Sequence, residues 1–169
     1  MMKELRLAGV ILESIVDGPG MRMTIFTQGC PHNCKGCHNP ETHDFSGGYI
    51  SHPENILKRI DADKLLRGVT FSGGEPFMQP AALAELAEEV HKRGLDVVTY
   101  TGFTFEELVA SFDKFSDRRL LLEQTDYLID GKFILEQRSL ELRFRGSANQ
   151  RILDVKKSLA EGHAVETDL

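Results

Sequence analysis

The chain has 169 residues, a formal net charge of −6, 41% hydrophobic residues and 27% charged ones, the balance of a single globular domain with a real core. It carries no basic stripe, which argues against a nucleic-acid partner, since phosphate binding needs clustered Lys and Arg. No apolar run approaches the roughly 18 residues of a bilayer crossing, so no membrane partner is expected.

At the start, MMKELRLAGVILES scatters charge and offers no small-residue cleavage site, unlike a secretory leader. The expectation is a cytoplasmic protein with reduced thiols. Residues 5–16 read as an extra edge strand or hairpin arm. Gly18 and Gly20 around Pro19 set a turn, and Asp17 and Arg22 beside it are candidates for a partner surface. MRMTIFT is short, apolar and rich in β-formers, so it reads as a strand. The stretch QGCPHNCKGCHNP (28–40) follows it and holds every cysteine of the chain: Cys30, Cys34 and Cys37.

SHPENILKRIDADKLL (51–66) reads as a helix, with Ser51 and Glu54 at capping-box spacing and Pro53 in the first turn. GVTFS (68–72) is the next strand. QPAALAELAEEVHKRG (79–94) is a helix opened by Pro80 and closed by Gly94, with Leu83, Leu86, Ala87 and Val90 on one face. LDVVTYT (95–101) is a third strand. A third helix starts at Thr104, which pairs with Glu107 in another capping box and aligns Phe105, Leu108, Val109 and Phe112. DYLID (126–130) and RILDV (151–155) complete the strands.

Strands alternating with amphipathic helices predict an α/β fold built on a parallel sheet. Four or five units are too few for a full eight-unit barrel. The expected architecture is a curved, partly open (β/α) barrel-like sheet, one domain spanning 1–169. Sites in such folds lie at the carboxyl ends of the strands. The cysteines, GGEP, TGF and GKF each follow one strand, so four loops should meet on one rim.

The cysteine spacing, Cys-x3-Cys-x2-Cys, sits on a loop whose Pro31, Asn33 and Gly36 favour a tight turn. Two metal centres suit it. One is a structural zinc site with His32, His38 or His43 as fourth ligand. The other is a cubane iron–sulfur cluster, which usually takes four cysteines. With three, one iron stays open to a substrate.

Cys-x3-Cys-x2-Cys after one strand and SGGEP after the next resemble the radical S-adenosylmethionine (SAM) superfamily. That resemblance implies a [4Fe-4S] cluster on Cys30, Cys34 and Cys37, with SAM chelated at the open iron and cleaved to a 5′-deoxyadenosyl radical. It implies that Gly73, Gly74 and Glu75 bind the SAM ammonium. VDGPGMRMTIFTQGCPHNCKGCHNP further resembles the activases of glycyl radical enzymes. With YTGFTFEEL (100–108), LIDGKF (128–133) and RFRGSANQRILDV (143–155), the chain looks like a member of the activating proteins of anaerobic ribonucleoside-triphosphate reductase.

The implied partner is that reductase, on which a glycyl radical is made. An activase of another glycyl radical enzyme, such as pyruvate formate-lyase, is the alternative. The electron donor implied is a flavodoxin or similar carrier. Thr101, Asp130, Lys132 and Asn149 are the further residues that the resemblance places near SAM, and Arg151 stands beside Asn149. No catalytic side chain is implied beyond the cluster and SAM. Larger activases carry an acidic residue before the threonine after the third strand, where this chain has Tyr100, so their cation site is not expected here.

Overall fold

The computed structural model describes all 169 residues. Seven strands form one sheet: β1 (Leu5–Ser14), β2 (Arg22–Thr27), β3 (Tyr49–Ser51), β4 (Gly68–Gly73), β5 (Asp96–Tyr100), β6 (Tyr127–Asp130) and β7 (Arg151–Asp154). Their order is β3-β1-β2-β4-β5-β6-β7. No pairing joins β3 to β7, so the sheet is open.

The four central strands β2, β4, β5 and β6 run parallel. Between them lie α1 (Pro53–Ala62), α2 (Pro80–Lys92), and α3 (Phe105–Ala110) with α4 (Asp117–Gln124). These crossovers permit parallel neighbours. The outer strands differ from the all-parallel expectation. β1 pairs antiparallel with β2 and with β3, and β7 pairs antiparallel with β6. The link from β6 to β7, residues 131–150, holds one short 3-10 turn and no α-helix, so the chain has no crossover to reverse it. A last helix, α5 (Val155–Glu161), follows β7.

Alternation along the strands sorts the two faces. Met23, Ile25, Val69, Phe71, Val97 and Leu128 join the helices in one apolar core with Leu57, Leu83, Leu108 and Leu121. The opposite face carries Thr24, Thr70 and Ser72, and residues 15–19 fold over it. Thr70 Oγ1 donates to the Asp17 backbone oxygen at 2.7 Å, and Thr24 Oγ1 donates to Asp17 Oδ2 at 2.9 Å.

Two capping expectations diverge. Thr104 and Glu107 form both halves of the capping box. Ser51 does not cap α1. It ends β3, paired with Leu5, and His52 takes the N-cap position without a side-chain bond. Glu54 instead accepts from the Met2 backbone at 2.9 Å, tying down the N-terminus.

Arg22 is a buried clamp rather than a surface residue. Its side chain is fully buried and pairs with Asp96. It also donates to Thr70 Oγ1 at 2.8 Å, the Pro19 oxygen at 2.8 Å and the Val69 oxygen at 3.0 Å. Gly18, at φ +139°, leaves room for it, since a Cβ there would sit 2.9 Å from Arg22 Cδ. This explains the DGPG-x-R pattern: the turn is pinned across the ends of β2, β4 and β5. Arg22→Ala should lower the urea-unfolding free energy by about 3 kcal/mol, the low end for breaking a buried pair, because Asp96 keeps some solvent contact.

Candidate active site

At the carboxyl ends of β2, β4 and β5 lies an open cavity of about 380 Å3. Ligand sites span roughly 300–1,000 Å3. Cys30, Cys34, Cys37, Gly73, Gly74 and Thr101 line it. Six of the ten residues anticipated from sequence therefore border one space. Glu75, Asp130, Lys132 and Asn149 do not.

The cysteine loop is built by positive-φ residues and backbone bonds. Gly29, Asn33 and Gly36 have φ of 107°, 50° and 75°. Gly29 N donates to the Thr42 oxygen at 2.7 Å, and Cys30 N to the His43 oxygen at 3.2 Å. Gln28 is buried, and its amide donates to the Glu41 and Asp44 oxygens at 2.9 and 2.7 Å. The loop is thus closed by the 3-10 turn at Pro40–Thr42 and the two residues after it.

SGGEP lies directly against this loop. Gly74 N donates to the Thr27 oxygen at 2.7 Å, and Glu75 N to the Gly29 oxygen at 2.8 Å. A Cβ on Gly73 would come within 2.5 Å of Thr27 N, and one on Gly74 within 3.0 Å of Gly29 N. The two glycines are needed for this backbone approach as well as for bordering the cavity.

Glu75, expected at the SAM ammonium, lies at this junction. Its side chain is fully buried, with every contact internal. Oε1 accepts from His32 Nε2 at 2.6 Å and from Gly102 N at 2.7 Å. Oε2 accepts from Phe77 N at 2.9 Å, and Thr101 Oγ1 lies 2.9 Å from both oxygens. Arg118 is buried nearby, its guanidinium 4.6 Å from the Phe103 ring and 4.3 Å from the Phe115 ring. Burial lowers the Arg118 pKa, and the Glu75 charge opposes that shift.

Asp130 is also buried and turned away from the cavity. It holds Arg151 through two contacts of 3.0 and 2.6 Å and accepts from Phe105 N at 2.8 Å. Arg151 reaches on to Glu106 at 2.7 Å. Asn149 stitches the 132–147 loop, donating to the Lys132 oxygen at 2.8 Å and accepting from Ser147 Oγ at 2.6 Å. Lys132 is exposed, but its charge lies close enough to Cys34 to favour the thiolate.

The three thiols are free and half-buried. Burial pushes the Cys30 thiol up to about 11, against a hydrogen bond from the His32 backbone. Cys34 is raised for the same reason, against one from the Phe133 backbone. Such thiols ionise when a metal takes the proton's place. No three His, Cys, Asp or Glu side chains converge closely enough for a single metal ion. A zinc site gathers all its ligands around one point. A cluster gives each thiolate its own iron, and three thiols on one loop beside a cavity supply the donors for such a cluster.

A basic residue stands in the same wall. Arg145 borders the cavity, and its Nε is the one buried side-chain polar atom without a hydrogen-bond partner. Its other arm donates to the Gln150 oxygen at 3.1 Å. Sequence reasoning singled out RFRGSANQ but chose Asn149 from it. The loop's basic residues carried no periodicity to show which one turns inward. Tyr100 completes this wall, its hydroxyl donating to the Phe144 oxygen at 2.6 Å. Burial raises its pKa, with help from the Asp17 charge.

An open α/β sheet carrying a three-cysteine loop against a cavity defines a protein that holds an iron–sulfur cluster beside a ligand. Residues 16–153 match the family described as "4Fe-4S single cluster domain". The anaerobic ribonucleoside-triphosphate reductase-activating proteins of Vibrio cholerae serotype O1 and Haemophilus influenzae are 39% and 36% identical to the chain, over 82% of it and 90% of each relative. The pyruvate formate-lyase-activating enzyme of Clostridium pasteurianum is 34% identical over 64% of this chain and 49% of that enzyme. Among solved structures, QueE from Escherichia coli matches with a TM-score of 0.48 at 20% identity, covering 60% of this chain and 53% of that one. The chain belongs to the family of anaerobic ribonucleoside-triphosphate reductase-activating proteins.

Asp130 makes a sharp test of placement. Asp130→Ala should lower the unfolding free energy by about 3 kcal/mol, measured in urea, because Arg151 loses its buried partner and keeps only Glu106.

Proposed function

We infer that this chain is a radical SAM activase that generates the glycyl radical of an anaerobic ribonucleoside-triphosphate reductase. The observation that carries the reading is convergence. Three cysteines and the glycine-rich end of the neighbouring strand border one cavity, in a chain related to these activators along most of its length. The shorter match to a pyruvate formate-lyase activator supports that alternative less.

Cys30, Cys34 and Cys37 would hold one [4Fe-4S] cluster, and the walls formed by Gly73, Gly74, Thr101 and Arg145 would hold SAM. When bound, the two supply a 5′-deoxyadenosyl radical that takes a hydrogen atom from the partner's glycine. The protein's part is to bind, orient and exclude water. The Gly73–Gly74 backbone borders the cavity without side-chain obstruction. Arg145 places a positive charge in the cavity wall. Phe26, Phe133, Leu142 and Phe144 form the apolar part of the cavity wall, against which an adenosyl group would pack. The Tyr100–Phe144 bond holds the 142–146 strap over that space.

The whole chain, 1–169, is taken to act as one domain. Its sheet is taken as a shortened, curved (β/α) barrel, which the helical core on one face and the cavity on the other support. A flavodoxin-type carrier is the proposed electron donor, and the cytoplasm the proposed location. No helix is long and apolar enough to cross a membrane.

Two measurements test this. Cys34→Ala should abolish cluster assembly, read from iron and sulfide content, while circular dichroism stays that of the folded chain. Anaerobic mixing of the reconstituted chain, SAM, a strong reductant and the reductase should give a glycyl doublet by electron paramagnetic resonance (EPR). A doublet on pyruvate formate-lyase and none on the reductase would overturn the choice of partner.

A further inference from the structure

The GGE glutamate of this chain has no open face for a ligand. Its carboxylate meets donors from three separate elements: His32 in the cysteine loop, Phe77 after β4, and Thr101 with Gly102 after β5. Of these, His32 alone belongs to the loop that carries the thiols, midway between Cys30 and Cys34. The His32 side chain is about 6% exposed, which is unusual for a polar residue on a loop. Its ring packs edge-on against Phe103, with centroids 4.6 Å apart. Gly102 leaves the space for it, since a Cβ there would lie 2.6 Å from His32 Nε2. His32 also borders the cavity.

We propose that His32 is a positioning residue, and that its bond to the buried Glu75 sets where the cysteine loop stands relative to the SAM-binding ends of β4 and β5. Glu75 then serves this chain as an anchor between loops and not as a contact for the SAM ammonium. The inference rests on the activase reading above.

Physical reasoning supports the assignment. A buried carboxyl group is tolerated only when its hydrogen-bonding capacity is filled. Four donors from three elements make Glu75 a rigid node. The loop between Cys30 and Cys34 is otherwise rich in turn residues and short of side-chain bonds. The backbone bonds at Gly29 and Cys30 hold the start of the loop, and His32 holds its middle. A cluster ligated by a loop free to shift would sit at variable distance from the second ligand. A misplacement of about 1 Å can cost on the order of a hundredfold in rate.

The test compares the wild-type chain with His32→Ala, His32→Gln, Gly102→Ala and the double variant His32→Ala/Gly102→Ala. Each is reconstituted anaerobically with iron and sulfide. Cluster content, the EPR spectrum of the reduced cluster with and without SAM, and the rate of 5′-deoxyadenosine formation are read. His32→Ala and Gly102→Ala should each slow cleavage by about ten- to hundredfold and change the SAM-induced spectral shift. His32→Gln, which keeps a donor, should recover most of both. In the His32→Ala background the Gly102→Ala change should add nothing, because the ring it displaces is gone.

A cluster lost in His32→Ala and regained in His32→Gln is the stronger form of the same result. A wild-type spectrum and rate in His32→Ala would overturn the proposal. So would a His32→Gln variant as impaired as His32→Ala, or a Gly102→Ala effect of full size in the double variant. A wild-type chain that takes up no iron and sulfide would instead overturn the activase reading itself, and this inference with it.

Discussion

A fully buried carboxylate at the end of β4 organises this molecule's working rim. Glu75 accepts from His32, Phe77, Thr101 and Gly102, and its backbone N–H donates to Gly29. Burying an ion without partners is prohibitively unfavourable, so the donors must be present together. That requirement draws three loops into one arrangement. Arg118, stacked between Phe103 and Phe115, places a positive charge close by and offsets the buried negative one. The cavity is what remains above this junction.

Below the rim the sheet divides the labour between its faces. One face is apolar and buries its side chains under the helices. The other is unusually polar for a sheet interior, with Thr24 and Thr70 bonded to the folded-back turn at Asp17. Arg22 clamps that turn from underneath. The inner face is therefore closed at its base by a short segment. It stays open towards the cysteines, so the apolar face supplies stability while the polar one leaves room for a ligand.

Much of this was legible in order along the chain. Strand and helix alternation located the four parallel strands, because each buried strand is a short β-rich run and each helix repeats its apolar residues at helical spacing. Thr104 and Glu107 marked a helix start because capping is a local interaction. Ser51 and Glu54 had the same spacing yet do not cap. There β3 paired with Leu5, far away in sequence, and captured the serine. The direction of β7 was missed because it depends on a connection lacking a helix. β3, α4 and α5 were missed because short elements carry too little periodicity.

By itself the sequence determined which chemistry is available: three thiols on one turn-rich loop, two glycines after the next strand, and strand ends to carry both. Those are matters of residue type and spacing, and local geometry follows from them. Only the tertiary structure decided which residues border the cavity. Glu75 and Asp130 lie in the expected motifs but turn inward to meet His32 and Arg151, while Asn149 bonds along its own loop to the Lys132 backbone. Arg145, unremarkable in sequence, joins the cavity wall, with its Nε buried and unpartnered. The physical reason is that a buried polar group must be matched by partners distant in sequence, and spacing along the chain carries no record of those partners.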